Sequence, residues 1–229
     1  LWALMAAGLA LVGVGAVAAA TGAQAASLTE AQRAALSPDQ VVQAMLDGNA
    51  RFLSGVHRQR DFLAEMRASA AGQFPAAIVL SCVDSRAPVE VVCDLGIGDT
   101  FSARVGGGAV NDDVLGSMEF ACAAPGAKAV VVMGHTACGA IKGAIDNVVL
   151  GNLTLLLARF KGAIDATTYT GERSSKNYGF VDAVATTNVR MVIETIRERS
   201  DVLAGLEKQG KIKMVGAMYD IATGKVSLV

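Results

Sequence analysis

Residues 77–86 read AIVLSCVDSR and residues 130–139 read VVVMGHTACG. Each is a short apolar run that ends on a cluster of reactive side chains. The run from Ala76 to Ser81 is bounded by Pro75 and lacks polar alternation, which suits a strand buried on both faces of a parallel sheet. Similar strand-like runs lie at Thr100 to Val105, Ala129 to Met133 and Ile212 to Met218. Between them are helical patterns at Val89 to Leu95, Asp112 to Ala123, Ile141 to Val149 with Leu153 to Lys161, and Phe180 to Arg199. Strands alternating with helices predict an α/β fold, a mainly parallel central sheet flanked by helices on both faces. Lys225 to Val229, after the Thr223-Gly224 turn, is expected as an edge strand.

Upstream, Ser37-Pro38-Asp39-Gln40 supplies an N-cap, a first-turn proline and a capping-box glutamine ahead of Val41, Val42, Met45, Leu46 and Phe52. This predicts an amphipathic helix ending near Gly55, followed by a second from Asp61 to Ala71. Apolar surface left over on the first of these is expected to pack on a second copy of the chain.

The 229 residues are 52% apolar and 18% charged, with 20 Lys and Arg against 21 Asp and Glu. So balanced a chain lacks the positive field that phosphate backbones require, and so apolar a chain folds around a core. Nucleic-acid binding and disorder are therefore poor readings. The mean hydropathy of +0.43 is raised by residues 1–25, which carry no charge. That block resembles the apolar core of a secretory signal, read as beginning inside the signal and ending in Ala23-Gln24-Ala25. Cleavage before Ala26 leaves residues 26–229 as one domain, exported to the periplasm, with no stable membrane association. A retained anchor is the competing reading, since about 20 apolar residues also span a bilayer.

Four cysteines in an exported chain raise the question of disulfides, but a domain of this size does not need them. Cys93 and Cys122 sit in apolar helical stretches and read as buried thiols. Cys82 and Cys138 follow the two strands quoted above, and ligands gather beyond the carboxyl ends of parallel strands. Cys82, His135 and Cys138 have the softness and number for one Zn²⁺ per chain, with a fourth position left open for water. A Cys138-His135 nucleophile pair is the rival chemistry, and it leaves CVDSR unexplained.

CVDSR followed by GHTACG, with His135 49 positions after Arg86, resembles the β-class carbonic anhydrases, of the exported bacterial type. The likeness extends through Gly72-Gln73, Gly98-Asp99-x-Phe101 and Arg104. It implies that Cys82, His135 and Cys138 bind zinc and that Asp84 and Arg86 form a catalytic dyad beside it, Asp84 being a conditional fourth ligand. It further implies that Gln73 binds substrate near a dimer interface, that Gly139 borders the same pocket, and that Phe101 and Phe120 line it. The activity implied is reversible hydration of CO₂ to bicarbonate and a proton through zinc-bound hydroxide, in a homodimer or dimer of dimers. Two thiolate ligands are expected to keep that water basic and to favour the alkaline side. The alternatives are a carbonyl sulfide or carbon disulfide hydrolase on the same fold and a non-catalytic zinc-binding domain. One departure stands out: Gly106-Gly107-Gly108 follows Arg104-Val105, with Gly106 where the family often has an apolar side chain lining the pocket.

Overall fold

The computed structural model describes residues 27–229, so the signal expected over residues 1–25 lies outside the described residues. In chain order the elements are α1 (Glu30–Ala35), α2 (Pro38–Ser54), α3 (Phe62–Ser69), β1 (Ala77–Ser81), α4 (Val89–Val92), β2 (Thr100–Arg104), α5 (Asp112–Ala123), β3 (Ala129–His135), α6 (Gly139–Ile145), α7 (Gly151–Ala158), α8 (Lys161–Ala166), α9 (Tyr178–Arg199), α10 (Asp201–Lys208), β4 (Lys213–Tyr219) and β5 (Val226–Leu228). The strands form one sheet in the order β2-β1-β3-β4-β5. All pairs are parallel except β4 with β5, which is antiparallel at the edge.

Burial on both faces explains the continuous apolar strands. Ile78, Leu80, Val130 and Val132 face a core completed by side chains of α5, α6, α8, α9 and α10. Ala77, Val79, Ala129, Val131 and Met133 face the opposite core, closed by α2 and α4. Each fully buried Val, Leu or Ile contributes about 1.5–3 kcal/mol, so both layers favour the same register. Helix α9 lies against β3 and β4 where Gly134 and Gly216 leave room. A Cβ on Gly134 would stand 2.7 Å from Val189 Cγ2, and one on Gly216 2.8 Å from Val189 Cγ1.

The N-terminal helices follow their caps. Ser37 Oγ accepts from the Gln40 N–H while Gln40 Oε1 accepts from the Ser37 N–H, and Gly55 ends α2 at φ +70°. This helix buries Val41, Val42 and Met45 on its own sheet. The surplus apolar surface expected on it is found mainly on α3, where Phe62, Leu63 and Met66 are exposed. Three other expectations change. The helix at Val89 stops after four residues, because Asp94 turns to φ +47° and its carboxylate accepts from Arg51 Nε at 2.5 Å and Arg58 N–H at 3.3 Å. The patterns at 141–149 and 153–161 fold as α6 and α7, each ending before its expected limit, with Asn147 (φ +53°) and Gly151 (φ +43°) at the turn between them, and a third helix, α8, starts at Lys161. Helix α10, which no periodic run foreshadowed, is capped by Ser200 Oγ on the Leu203 N–H and tied back by Arg197 to Glu207. Among the described residues no helix is long and apolar enough to cross a membrane.

Candidate metal centre

Parallel pairing of β1 with β3 sets Ser81 beside Met133, so the chain leaves both strands at the same end of the sheet. Cys82 follows β1 directly, and His135 closes β3. Cys138 caps α6, the next element. The potential ligand atoms of Cys82, His135 and Cys138 all lie within 4.8 Å of one another, and all three residues are buried.

Each ligand is held by backbone. His135 Nδ1 lies 2.9 Å from the Thr136 carbonyl, which fixes its proton there and leaves Nε2 bare. Nε2 is buried with no hydrogen-bond partner. An orphaned imidazole nitrogen beside two sulfurs fits a zinc ion, whose preferred donors are thiolate and imidazole in tetrahedral array. Cys82 Sγ accepts from the Gly107 N–H at 3.2 Å. Cys138 Sγ sits at the start of α6, where the Ala140 and Ile141 amides face it.

The charges agree with a cation site. A hydrogen bond from Cys138 brings the Cys82 thiol down to about 4, against the opposing effect of burial, with His135 and the Gly107 amide adding to the drop. That negative neighbour and its own burial push Cys138 up. Burial works against a charge on His135, but the Cys82 thiolate outweighs it and raises the imidazole above its ordinary value. By contrast, burial pushes Cys93 and Cys122 up to about 12, so they are inert core thiols, as the sequence suggests. All four cysteines are free.

The CVDSR turn places a carboxylate at the rim. Asp84 Oδ1 accepts from Arg86 N at 3.0 Å and Nε at 2.9 Å, and Oδ2 from Nη2 at 2.8 Å. Oδ2 also lies 3.7 Å from His135 Nε2. Asp84 is therefore paired with Arg86 while Oδ2 stays close to the His135 imidazole. Arg104, at the end of β2, pins the same turn by donating to the carbonyls of Cys82 (2.9 Å) and Asp84 (2.6 Å).

The glycine loop 106–108 forms a tight 3₁₀ turn with Gly107 at φ +66°. The space beside Gly106 is filled by Leu156, whose Cδ2 would lie 2.8 Å from a Cβ there. The wall that lacks an apolar side chain at Gly106 is thus supplied from α7. A Cβ on Gly107 would overlap Phe160 Cζ. Together with the positive φ, this predicts that Gly107→Ala destabilises the protein by about 2–4 kcal/mol. A melting temperature unchanged by the substitution would refute this.

The other expected site residues are spread out. Gly139 follows Cys138, and a Cβ there would meet nothing within 4 Å, so open space adjoins its backbone. Phe101 and Phe120 form an edge-to-face pair with centroids 6.1 Å apart in a groove of about 740 Å³ beside β2, whose lining includes none of the three ligands. Gln73 is exposed and precedes β1 at the end of the sheet away from Cys82. The strand alone separates those ends by about 13 Å. Sequence reasoning treated Gly107 only as part of a glycine turn and passed over Asp182 and Asn188. In the sequence Asp182 and Asn188 are only polar positions within the apolar run Val181, Val184, Ala185, Val189, Val192 of one helix, with nothing to mark what they hold.

A family model described as carbonic anhydrase matches residues 77–226, from β1 to the start of β5. The chain is 31% identical over 188 residues to a carbonic anhydrase of Mycolicibacterium smegmatis, covering 81% of this chain and 90% of that protein. A shorter stretch of 71 residues, 28% of this chain and 33% of the relative, is 37% identical to a carbon disulfide hydrolase of Acidithiobacillus thiooxidans. Among solved structures, the β-carbonic anhydrase CafA of Aspergillus fumigatus superposes with a TM-score of 0.62 at 26% identity, over 72% of this chain and 79% of that one. With the parallel sheet, the Cys-His-Cys cluster and matches over most of its length, the chain belongs to the carbonic anhydrase family, in its β class, and is a lyase.

Proposed function

We propose that the protein holds one zinc ion through Cys82, His135 and Cys138 and reversibly hydrates carbon dioxide to bicarbonate and a proton. The observation that carries this reading is the buried, orphaned His135 Nε2 between two cysteines, with an ionised Asp84 at 3.7 Å. Zinc in such a set supplies a Lewis acid that makes water acidic enough to act as a nucleophile near neutral pH.

The chain's own residues do the rest. Arg86 keeps Asp84 charged and turned aside, so that Oδ2 can accept a hydrogen bond from water in the space between Asp84 and His135. The open volume beside the Gly139 backbone gives a small, linear substrate room to approach. With Nε2 given to zinc and Nδ1 committed to the Thr136 carbonyl, His135 has no nitrogen left to move a proton during turnover. Stopped-flow hydration of CO₂ across pH by the zinc-loaded protein tests the reading. The stretch shared with a carbon disulfide hydrolase supports a second reading, so carbonyl sulfide and carbon disulfide are assayed beside it. Turnover of those gases without CO₂ hydration would replace the first reading, and zinc binding with no turnover of any would leave a non-catalytic domain.

We also propose that the active unit is a homodimer. Gln73 can serve a catalytic pocket only in a neighbouring chain, because it stands at the wrong end of its own sheet. Phe120 is 55% exposed, and Phe62, Leu63 and Met66 present apolar surface on α3 with nothing of the described chain over it. Sedimentation velocity is expected to show a dimer or a dimer of dimers at assay concentration. A fully active monomer would overturn this. Finally, the charge-free run over residues 1–25 supports export to the periplasm with cleavage before Ala26, which N-terminal sequencing of the secreted protein checks.

A further inference from the structure

Helix α9 reaches both loops that carry the metal ligands, and it does so with two polar side chains. Asp182 Oδ1 accepts from the Ala137 N–H at 2.7 Å. Ala137 lies between His135 and Cys138 and adopts φ +54°, a left-handed conformation that strains a non-glycine residue. That turn lets the two ligands on either side of it converge on one point; Thr136 ties it to β4 and the segment after it, and the Asp182 acceptor holds it at Ala137 itself. On the same helix, buried Asn188 donates from Nδ2 to the Gly107 carbonyl at 3.2 Å. The Gly107 N–H in turn donates to Cys82 Sγ. Residue 107 is therefore anchored on one side by α9 and on the other by the sulfur of a ligand.

We propose that Asp182 and Asn188 are positioning residues for the metal centre. Asp182 orients His135 and Cys138 through Ala137, and Asn188 orients Cys82 through Gly107. Both are anchored to the sheet by the close packing of Val189 against Gly134 and Gly216. The Gly107 N–H withdraws negative charge from the Cys82 sulfur, and Asn188, by fixing residue 107, keeps that donor in place. The inference rests on the zinc reading above, and it concerns the supports of the ligands rather than the ligands themselves.

The test uses the full chain, stripped of metal and reloaded with zinc or, as a spectroscopic probe, cobalt(II). Zinc affinity is measured by competition with a chromogenic chelator, and the thiolate-to-cobalt charge-transfer band is recorded for each variant. Asp182→Ala and Asn188→Ala are expected to weaken zinc binding by about 10–100-fold and to shift the cobalt band. Asp182→Asn keeps an oxygen that can accept from Ala137, so it should stay near the wild type in both readouts. Asn188→Asp keeps size but loses the donor, and it should behave as the alanine variant does. If either alanine variant does not fold, Asn188→Asp and the remaining one decide on the same criteria. Wild-type affinity and an unmoved cobalt band in the variants, even with a lowered melting temperature, would reduce both residues to ordinary structural contacts and overturn the proposal. Failure of the zinc reading looks different: the wild-type chain itself would then show no thiolate-to-cobalt band.

Discussion

Replacing Cys82 and Cys138 together with alanine will leave a protein that folds less stably, holds no zinc and hydrates no CO₂. The loss is expected to be complete rather than graded, because one imidazole cannot compete with water for the ion once both sulfurs are gone. Zinc bound only by the folded chain stabilises it by mass action, so a chelator should lower the melting temperature of the wild type and leave that of the double variant unchanged. The protonation of the metal-free site gives a second expectation. Cys82 is already a thiolate near neutrality, whereas its charge keeps the proton on Cys138. Loading zinc must expel that proton, so affinity should rise by about tenfold per pH unit on the alkaline side. Below the raised pKa of His135 a second proton must leave, and the dependence should steepen. Elemental analysis showing full zinc occupancy in the double variant would sink the assignment of these ligands.

How much of this was legible in the sequence differs between parts of the molecule. The sheet was legible because AIVLS and VVVM are buried on both faces, and an unbroken apolar run bounded by Pro75 has few other uses. The clustering of Cys82, His135 and Cys138 was legible because parallel strands discharge their carboxyl ends on one side, which brings a Cys after β1 close to a His-x-x-Cys after β3. Helix ends were less so. Asp94 stops α4 by a left-handed turn whose stabilising partners, Arg51 and the Arg58 amide, are over 30 residues away, and no local pattern announces such partners. The same holds for the anchoring of the site. Asn188 and Gly107 are 81 positions apart, and each alone reads as an isolated polar residue in a helix and a permissive glycine in a turn. Only the closeness of α9 to Gly134, itself a tertiary fact, brings them together. Gln73 shows the limit from the other side: its alignment suggested a site residue, but it is exposed and the whole of β1 lies between it and Cys82.

Arg86→Ala will keep zinc and lose most of its activity at neutral pH, by about 10²–10³-fold, the scale on which a group that positions a reacting species acts. Asp84 and Arg86 form a bidentate pair. Its hydrogen bonds with Arg86 hold the Asp84 carboxyl well below the usual carboxylate range, burial works against this, and the nearby His135 adds to it. A depressed pKa means that the pair contributes stability at every pH above the ordinary carboxylate value and gives it up only as acid takes the pH through the lower folded value. Across the range of an assay Asp84 therefore stays ionised, and its own titration cannot set the activity profile. What Arg86 controls is where that charge points. With the guanidinium gone, an ionised carboxylate 3.7 Å from His135 Nε2 has the cation site as its nearest partner, and it will occupy the position that water needs. Hydroxide competes better as pH rises, so the variant should recover part of its rate at alkaline pH, more steeply than the wild type. Asp84→Asn separates the two roles of the carboxylate. It removes the blocking charge and so the steep recovery, but it also weakens the acceptor that orients water, leaving a low rate at all pH. X-ray absorption of the zinc-loaded Arg86→Ala protein at about pH 6.5 and 8.5 reads the same competition directly, since an added carboxylate should dominate at the lower pH and recede at the higher. A shell of two sulfurs, one nitrogen and one water at both, together with a wild-type rate profile, would show that Arg86 does not govern access to the metal.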